Sequence, residues 1–411
     1  MSKEPPVTIT EPAAVAALTR LYRNYGPGKL GWDFSYPTSR ARAYPSRITA
    51  YDETLTADAN GCLTGLTLFY AGLKGLAELA DLTYSSLASL ANLTVLKLNL
   101  EKPADLRPLL ARLPVLAVLG LKSETVKDWS FLSELPSSLE LELDSANQDG
   151  DLSSLAGLTA LTKLDLWRNR ISDLTPLAGL TALRALHLGG NRISDLAPLA
   201  GLTALQELHL NDNKLDDDLA PLAALTTLRE LHLESNLISD LSPLAGLTAL
   251  RELHLSGNLI NDLTPLAGLT ALRELYLYGG EISDLTPLAG LTALRALNLE
   301  NNQISDLSPL AGLSSLQALN LENNQISDLS PLAGLSALRA LFLGNNKVSD
   351  PAPLANLLAL TKLEMDAEVI QEKNLPVFAE LPGLAELYTA GHHHYKECNL
   401  ISLVDDYRRK P

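Results

Sequence analysis

The sequence predicts an α/β solenoid: a curved parallel sheet on the concave face, short 3₁₀ or helical turns on the convex face, and a cap at each end. Three observations carry this prediction. The pattern L-x-x-L-x-L-x-x-N starts at Leu161, Leu183, Leu205, Leu228, Leu250, Leu272, Leu294, Leu316 and Leu338, in steps of 22 residues with a single step of 23 after Leu205. A fixed period of this length marks a stack of identical units that bury one continuous core. Inside each unit, leucines alternate with other residues for three positions, the signature of a short strand with one buried face. Finally, aromatic residues make up only 5% of the chain, so the interior is filled with aliphatic side chains.

Residues 1–60 are read as an N-terminal cap over the first exposed core face. Thr10 suits a helix N-cap and Pro12 a first turn, and Ala14, Leu18, Leu21 and Tyr25 follow at near-helical spacing. Asn60-Gly61 between two extended runs is a hairpin signal. Arg20, Arg23, Lys29, Arg40, Arg42 and Arg47 interleave with Tyr22, Tyr25, Trp32, Phe34, Tyr36 and Tyr44. That mixture suits either single-stranded nucleic acid or a ring-packed cap with solvated arginines, and the second reading is preferred. Degenerate units begin at Leu63, Leu93, Leu116, near residue 138 and at Leu360, so the solenoid is assigned to 61–383 with its regular part at 161–359. Residues 384–411 are assigned to a C-terminal cap and tail that contains His392–His394.

In the unit that starts at Leu250, Leu253 and Leu255 face the core and His254 faces outward. Ile260, Leu263, Leu266 and Leu269 complete the interior from the return path. One column is asparagine at 169, 191, 213, 236, 258, 302, 324 and 346. An amide side chain carries donors and an acceptor, so it can satisfy the backbone of a buried turn in successive coils. Gly280 interrupts this column. Thr264 is expected to cap the outer turn, with Pro265 in its first position and Gly268 near its end.

The stretch "NQISDLSPLAGLSALRALFLGNNKVSD", Asn324 to Asp350, resembles the leucine-rich repeats of bacterial internalins and of the related SDS22-like class, and the resemblance covers about Leu93 to Ala359. It implies a leucine-rich repeat solenoid that binds protein partners on its concave sheet. The chain shows no signal peptide, no Leu-Pro-x-Thr-Gly anchor and no Ig-like domain after the repeats. A cytoplasmic location is therefore expected, with non-classical export left open.

The outward strand positions form three columns. The central one reads Asp165, His187, His209, His232, His254, Tyr276, Asn298, Asn320 and Phe342. The column before it carries Glu207, Glu230, Glu252 and Glu274, and the column after it carries Trp167, Glu234 and Tyr278. The partner-binding residues expected on the concave face are Trp167, His187, His209, His232, His254, Tyr276, Tyr278, Glu207, Glu230, Glu252, Glu274 and Phe342. Three readings of the histidine column stand: a copied surface residue, a recognition stripe, or a zinc site. Parallel side chains on a sheet do not converge unaided, so no metal site is assigned. Binding that depends on pH is a further expectation, because histidine titrates near pH ~6.5. Asp216, Asp217 and Asp218 in the 23-residue unit match no calcium loop and are read as a solvated bulge.

The net charge of −16 and pI of about 4.9 disfavour a phosphate backbone as partner, since nucleic acids are bound mainly by Lys and Arg. The two cysteines, Cys62 and Cys398, are far apart and form no zinc or disulfide pattern. No phosphate loop, nucleophile–base pair or metalloprotease motif is found. Cys398 stands too near the end of the chain to begin a catalytic domain. The expectation is thus a monomeric, non-enzymatic protein-binding module or scaffold without cofactor, nucleic-acid partner or membrane span. An internalin-like effector or surface adhesin that binds a host protein is the alternative, and a mainly structural repeat protein a further one.

Overall fold

The structure is a computed structural model. It describes residues 150–390 continuously, with 54–57, 63–71, 94–100, 110, 113–122, 131–132, 140–143 and 401–409. The expected N-terminal helix, the ring-and-arginine segment, the Asn60-Gly61 turn, Cys62, His392–His394 and Cys398 lie outside these residues. Two compact units divide the chain, Met1–Asn191 and Arg192–Pro411.

In the first unit β1 (Thr54–Ala57) pairs antiparallel with β2 (Leu63–Ala71), as a hairpin entry requires. From β2 the strands run parallel in chain order: β3 (Val95–Leu100), β4 (Val118–Lys122), β5 (Glu140–Glu142), β6 (Lys163–Asp165) and β7 (Ala185–His187). The second unit repeats the plan with β8 (Glu207–His209), β9 (Glu230–His232), β10 (Glu252–His254), β11 (Glu274–Tyr276) and β12 (Ala296–Asn298). It continues through β13 (Ala318–Asn320), β14 (Ala340–Phe342), β15 (Lys362–Met365) and β16 (Glu386–Thr389). The architecture is a leucine-rich repeat solenoid.

Register follows the repeat. Leu253 pairs with Leu231 and Leu275, and His254 with His232 and Tyr276, so each sequence column becomes a physical row. Leu253, Leu255, Ile260, Leu263, Leu266 and Leu269 are all at most 2% exposed. Each contributes about 1.5–3 kcal/mol of burial, and it does so only because a neighbouring coil covers it.

The outer turns are 3₁₀, as at Thr264–Leu266 with Pro265 inside. The expected cap by Thr264 is corrected: the helix begins at Thr264 itself, whose N–H needs an acceptor. Asp262 supplies it, with Oδ1 2.8 Å from Thr264 N. The same bond recurs at Asp173, Asp195, Asp240, Asp284, Asp306 and Asp328. In the 23-residue unit Asp217 is no idle bulge residue. Its carboxylate accepts from Ser239 N, Ser239 Oγ and Asp240 N at 2.6–2.8 Å and so fastens the next coil.

The asparagine column forms the expected ladder. Asn324 Oδ1 accepts from Ile304 N at 3.0 Å, while its Nδ2 donates to Leu299 O at 2.9 Å and Leu321 O at 3.1 Å. The residue before each rung adopts a left-handed backbone: Arg168, Asp212, Ser235, Asn301, Asn323 and Asn345, with glycine at 190, 257 and 279. At the interruption, a Cβ on Gly280 would stand 3.0 Å from Asn302 Oδ1 and 3.1 Å from Ile260 O.

The second unit ends in a short helix, α1 (Leu375–Ala379), and a terminal helix, α2 (Ile401–Arg408). Phe378 and Val404 are fully buried. Arg408 donates to Ala379 O and Leu381 O and pairs with Asp405. These bonds tie α2 to the last coil.

Candidate protein-binding face

The outward row of the second unit is built on β8–β11. Each three-residue strand turns its first and third residues outward around a buried leucine, and the third residues form the row His209, His232, His254 and Tyr276. Their rings stack in sequence, with centroids 4.0, 3.9 and 4.3 Å apart and planes within 19–25°. The strand spacing of ~4.8 Å closes slightly as the rings lean together.

Carboxylates flank the stack on both sides. Glu230 Oε1 lies 3.0 Å from His209 Nε2 and 3.2 Å from His232 Nε2. Glu252 Oε1 is 2.8 Å from His254 Nε2 and 3.8 Å from His232 Nε2. On the other edge Glu234 Oε1 faces His254 Nδ1 at 3.2 Å and His232 Nδ1 at 3.6 Å. Glu207 is 3.5 Å from His209, and Tyr276 donates to Glu274 at 2.9 Å. Convergence is thus closer than a bare sheet predicts, because the glutamates span the nitrogen edges of neighbouring rings.

These partners set the charges. The hydrogen bond from His209 and the adjacent His232 imidazole hold the Glu230 carboxyl well below the usual carboxylate range. Burial opposes the charge on His254, but hydrogen bonds to Glu234 and Glu252 outweigh it and raise the imidazole to about 9. Burial would likewise raise Glu234, yet the His254 bond and the neighbouring imidazoles keep it low. The row is a charged, hydrogen-bonded strip with one stacked face.

The other expected residues are placed less tightly. Tyr278 is 44% exposed. Phe342 lies under Lys362 Nζ at 5.4 Å, and Lys362 also stands 5.3 Å from the Tyr388 ring. In the first unit His187 Nδ1 is 3.4 Å from Asp165, and Arg168 stands 5.8 Å from the centre of the half-buried Trp167 ring. Glu234, placed in an outward column by the sequence, and Lys362 and Glu364 were not among the expected binding residues. All three belong to outward columns, which was the available signal. Glu364 is only 3% exposed, and its Oε2 has no hydrogen-bond partner.

A parallel sheet of three-residue strands, buried leucines and 3₁₀ returns defines a leucine-rich repeat protein. The family model for leucine-rich repeats in two copies matches residues 181–224 and, in overlapping windows, 226–356. An internalin of Listeria monocytogenes is similar at 36% identity over 78% of this chain and 94% of that one, with a TM-score of 0.67. A leucine-rich repeat protein of Leptospira interrogans is similar at 25% identity over 81% and 92%, with a TM-score of 0.68. The plant peptide hormone receptor RGFR1, solved in complex with RGF2, shares the fold at 18% identity over 82% and 56%, with a TM-score of 0.56. No curated protein matches. The chain belongs to the bacterial internalin-like leucine-rich repeat proteins. Among the described residues no helix is long and apolar enough to cross a membrane.

Proposed function

We propose that the chain is a non-enzymatic scaffold that recognises a protein partner on the outward face of its repeat sheet. Leucine-rich repeat proteins commonly act as interaction modules rather than enzymes, and their open strand faces are extended binding surfaces. The observation that carries the reading is the row of His209, His232, His254 and Tyr276 set between glutamates. Here ring surface is combined with carboxylates, and aromatic residues are frequent energetic centres of interfaces. The chemistry suits a partner segment that presents basic and hydrogen-bonding groups. Tyr278 and Phe342 extend the face within the second unit. Trp167 and His187 occupy the corresponding sequence columns of the first.

The test compares two baits in native lysate, the wild type and a chain with His209→Ala, His232→Ala, His254→Ala and Tyr276→Ala. A partner retained only by the wild type, with both baits folded, supports the face. A partner held equally by both moves the interface elsewhere and overturns the reading.

A further inference from the structure

The histidine row also gathers side chains with metal-ligating atoms. His209, Glu230 and His232 offer one ligand atom each, all within 4.8 Å of one another. Glu230 Oε1 stands 3.0 and 3.2 Å from the two Nε2 atoms. In a tetrahedral zinc site with bonds of ~2.0–2.1 Å, ligand atoms are separated by about 3.4 Å. Two edge lengths of the coordination polyhedron are therefore nearly in place in the free chain, and the stacked rings, with planes 25° apart, must turn to aim both Nε2 lone pairs at one ion. A cation at this point would take the place of the hydrogen bond between His209 Nε2 and Glu230 Oε1 and would give the buried His232 Nε2, which has no hydrogen-bond partner, a bond.

The surroundings fit that exchange. His232 Nδ1 faces Glu234 Oε1 at 3.6 Å, and Glu234 Oε2 is buried with no hydrogen-bond partner. Metal-bound histidines characteristically donate the second ring N–H to a carboxylate, which fixes tautomer and ring orientation. Glu207 lies 3.5 Å from His209 Nε2 and adds negative charge beside the site. A second triad, His232, Glu252 and His254, has wider spacing on one side, 3.8 Å from His232 Nε2 to Glu252 Oε1. These two triads share His232, so they hold one ion between them at a time.

We propose that His209, Glu230 and His232 bind one divalent transition-metal ion of the zinc type, with Glu234 as a positioning residue and the fourth coordination position open to solvent or to a partner's side chain. Imidazole with carboxylate is a donor set suited to zinc, copper, nickel and iron. The site does not depend on the protein-binding reading, because ion capture is a property of the free chain.

The experiment titrates Zn²⁺ into the metal-free full chain by calorimetry and follows Co²⁺ by its visible absorption. The expected result is one saturable site per chain with a tetrahedral or five-coordinate cobalt spectrum. His209→Ala and His232→Ala abolish it, and His254→Ala keeps it. Glu234→Gln weakens it by about 10–100-fold, the usual effect of losing such an outer carboxylate. His232→Gln serves as the second variant if the alanine chain does not fold. The tail histidines are present throughout, so binding that survives His232→Ala belongs to them and overturns the proposal. Absence of saturable binding in the wild type, or loss in His254→Ala with retention in His209→Ala, overturns it equally.

Discussion

Asn324→Ala probes the ladder that holds the coils together, and the structure sets its cost bond by bond. The amide makes three buried bonds: from Ile304 N, and to Leu299 O and Leu321 O. The two carbonyls are shared, since Leu299 O also accepts from Asn302 Nδ2 at 3.0 Å and Leu321 O from Asn346 Nδ2 at 2.8 Å. Only Ile304 N is orphaned. One buried unpaired donor costs about 1–3 kcal/mol, so Asn324→Ala should destabilise by about 2 kcal/mol. Asn302→Ala should cost about 1 kcal/mol more. It orphans Ile282 N, and it also strips Leu277 O, whose amide donor from the next column position is missing because residue 280 is glycine. The double variant removes both donors of Leu299 O, so its cost should exceed the sum by about 1 kcal/mol, a normal coupling for shared partners. Urea midpoints give the ranking, and hydrogen exchange at Ile304 and Ile282 localises the opening, since a long repeat array need not unfold in one step. A loss under 0.5 kcal/mol for Asn324→Ala, or an equal cost at both sites, would refute the accounting.

Two further outcomes are expected. Ser235 holds a left-handed backbone (φ 54°), a conformation that costs an L-residue roughly 1–2 kcal/mol. Ser235→Gly should therefore raise the melting temperature, while Gly257→Val at the equivalent position should lower it; the reverse order would show that the turn is not strained. The carboxyls of Asp262, Asp284, Asp306 and Asp328 are held below their usual value by hydrogen bonds from Thr264, Thr286, Ser308 and Ser330. A lowered folded-state pKa gives stability that is present above the unfolded pKa and lost as pH falls through the folded one. Melting temperature should drop below about pH 4. The fourfold Asp→Asn variant keeps the acceptor oxygen but should show a shallower acid limb; identical limbs would exclude the caps as its source.

The frame of this molecule was legible because its period turns sequence columns into physical rows. Leu253, Ile260 and Asn258 each have one mechanical task, and every repeat poses the same task again. The cap chemistry was read one step wrong. Asp262 and Thr264 are both cap-forming residues, and sequence alone does not show where the 3₁₀ turn begins. The left-handed position before each asparagine was missed because glycine, asparagine, serine, aspartate and arginine all occupy it. A shared backbone angle hides behind five residue types. On the outward face the columns were identified, but the reach of the glutamates was not. A period-two pattern says that Glu230 and His232 share a face. It does not say that the carboxylate lies along the nitrogen edges of two rings on neighbouring strands, since that depends on rotamers set by charge.

The energetic contrast between the two faces of each strand bears on why the histidines recur. Leu253 is fully buried, and truncation of such a leucine costs about 2–5 kcal/mol. Repetition of leucine therefore needs no functional explanation. His254 is in a different position: its side chain is 18% exposed, and Tyr276, Asn298 and Asn320 occupy the same row within the same frame. The row tolerates several residue types, so the fold does not demand histidine there. Stacking supplies part of a reason, at about 0.5–1.5 kcal/mol for each ring pair. That contribution can be separated from function in the fourfold alanine chain. If stability alone kept the rings together, that chain would melt lower and still hold its partner. If recognition kept them, it would lose the partner with only a modest change in melting. The asymmetric dressing of the row, with Glu230 shared by two imidazoles and Glu234 behind them, favours the second outcome, because stacking by itself calls for no carboxylate on either edge.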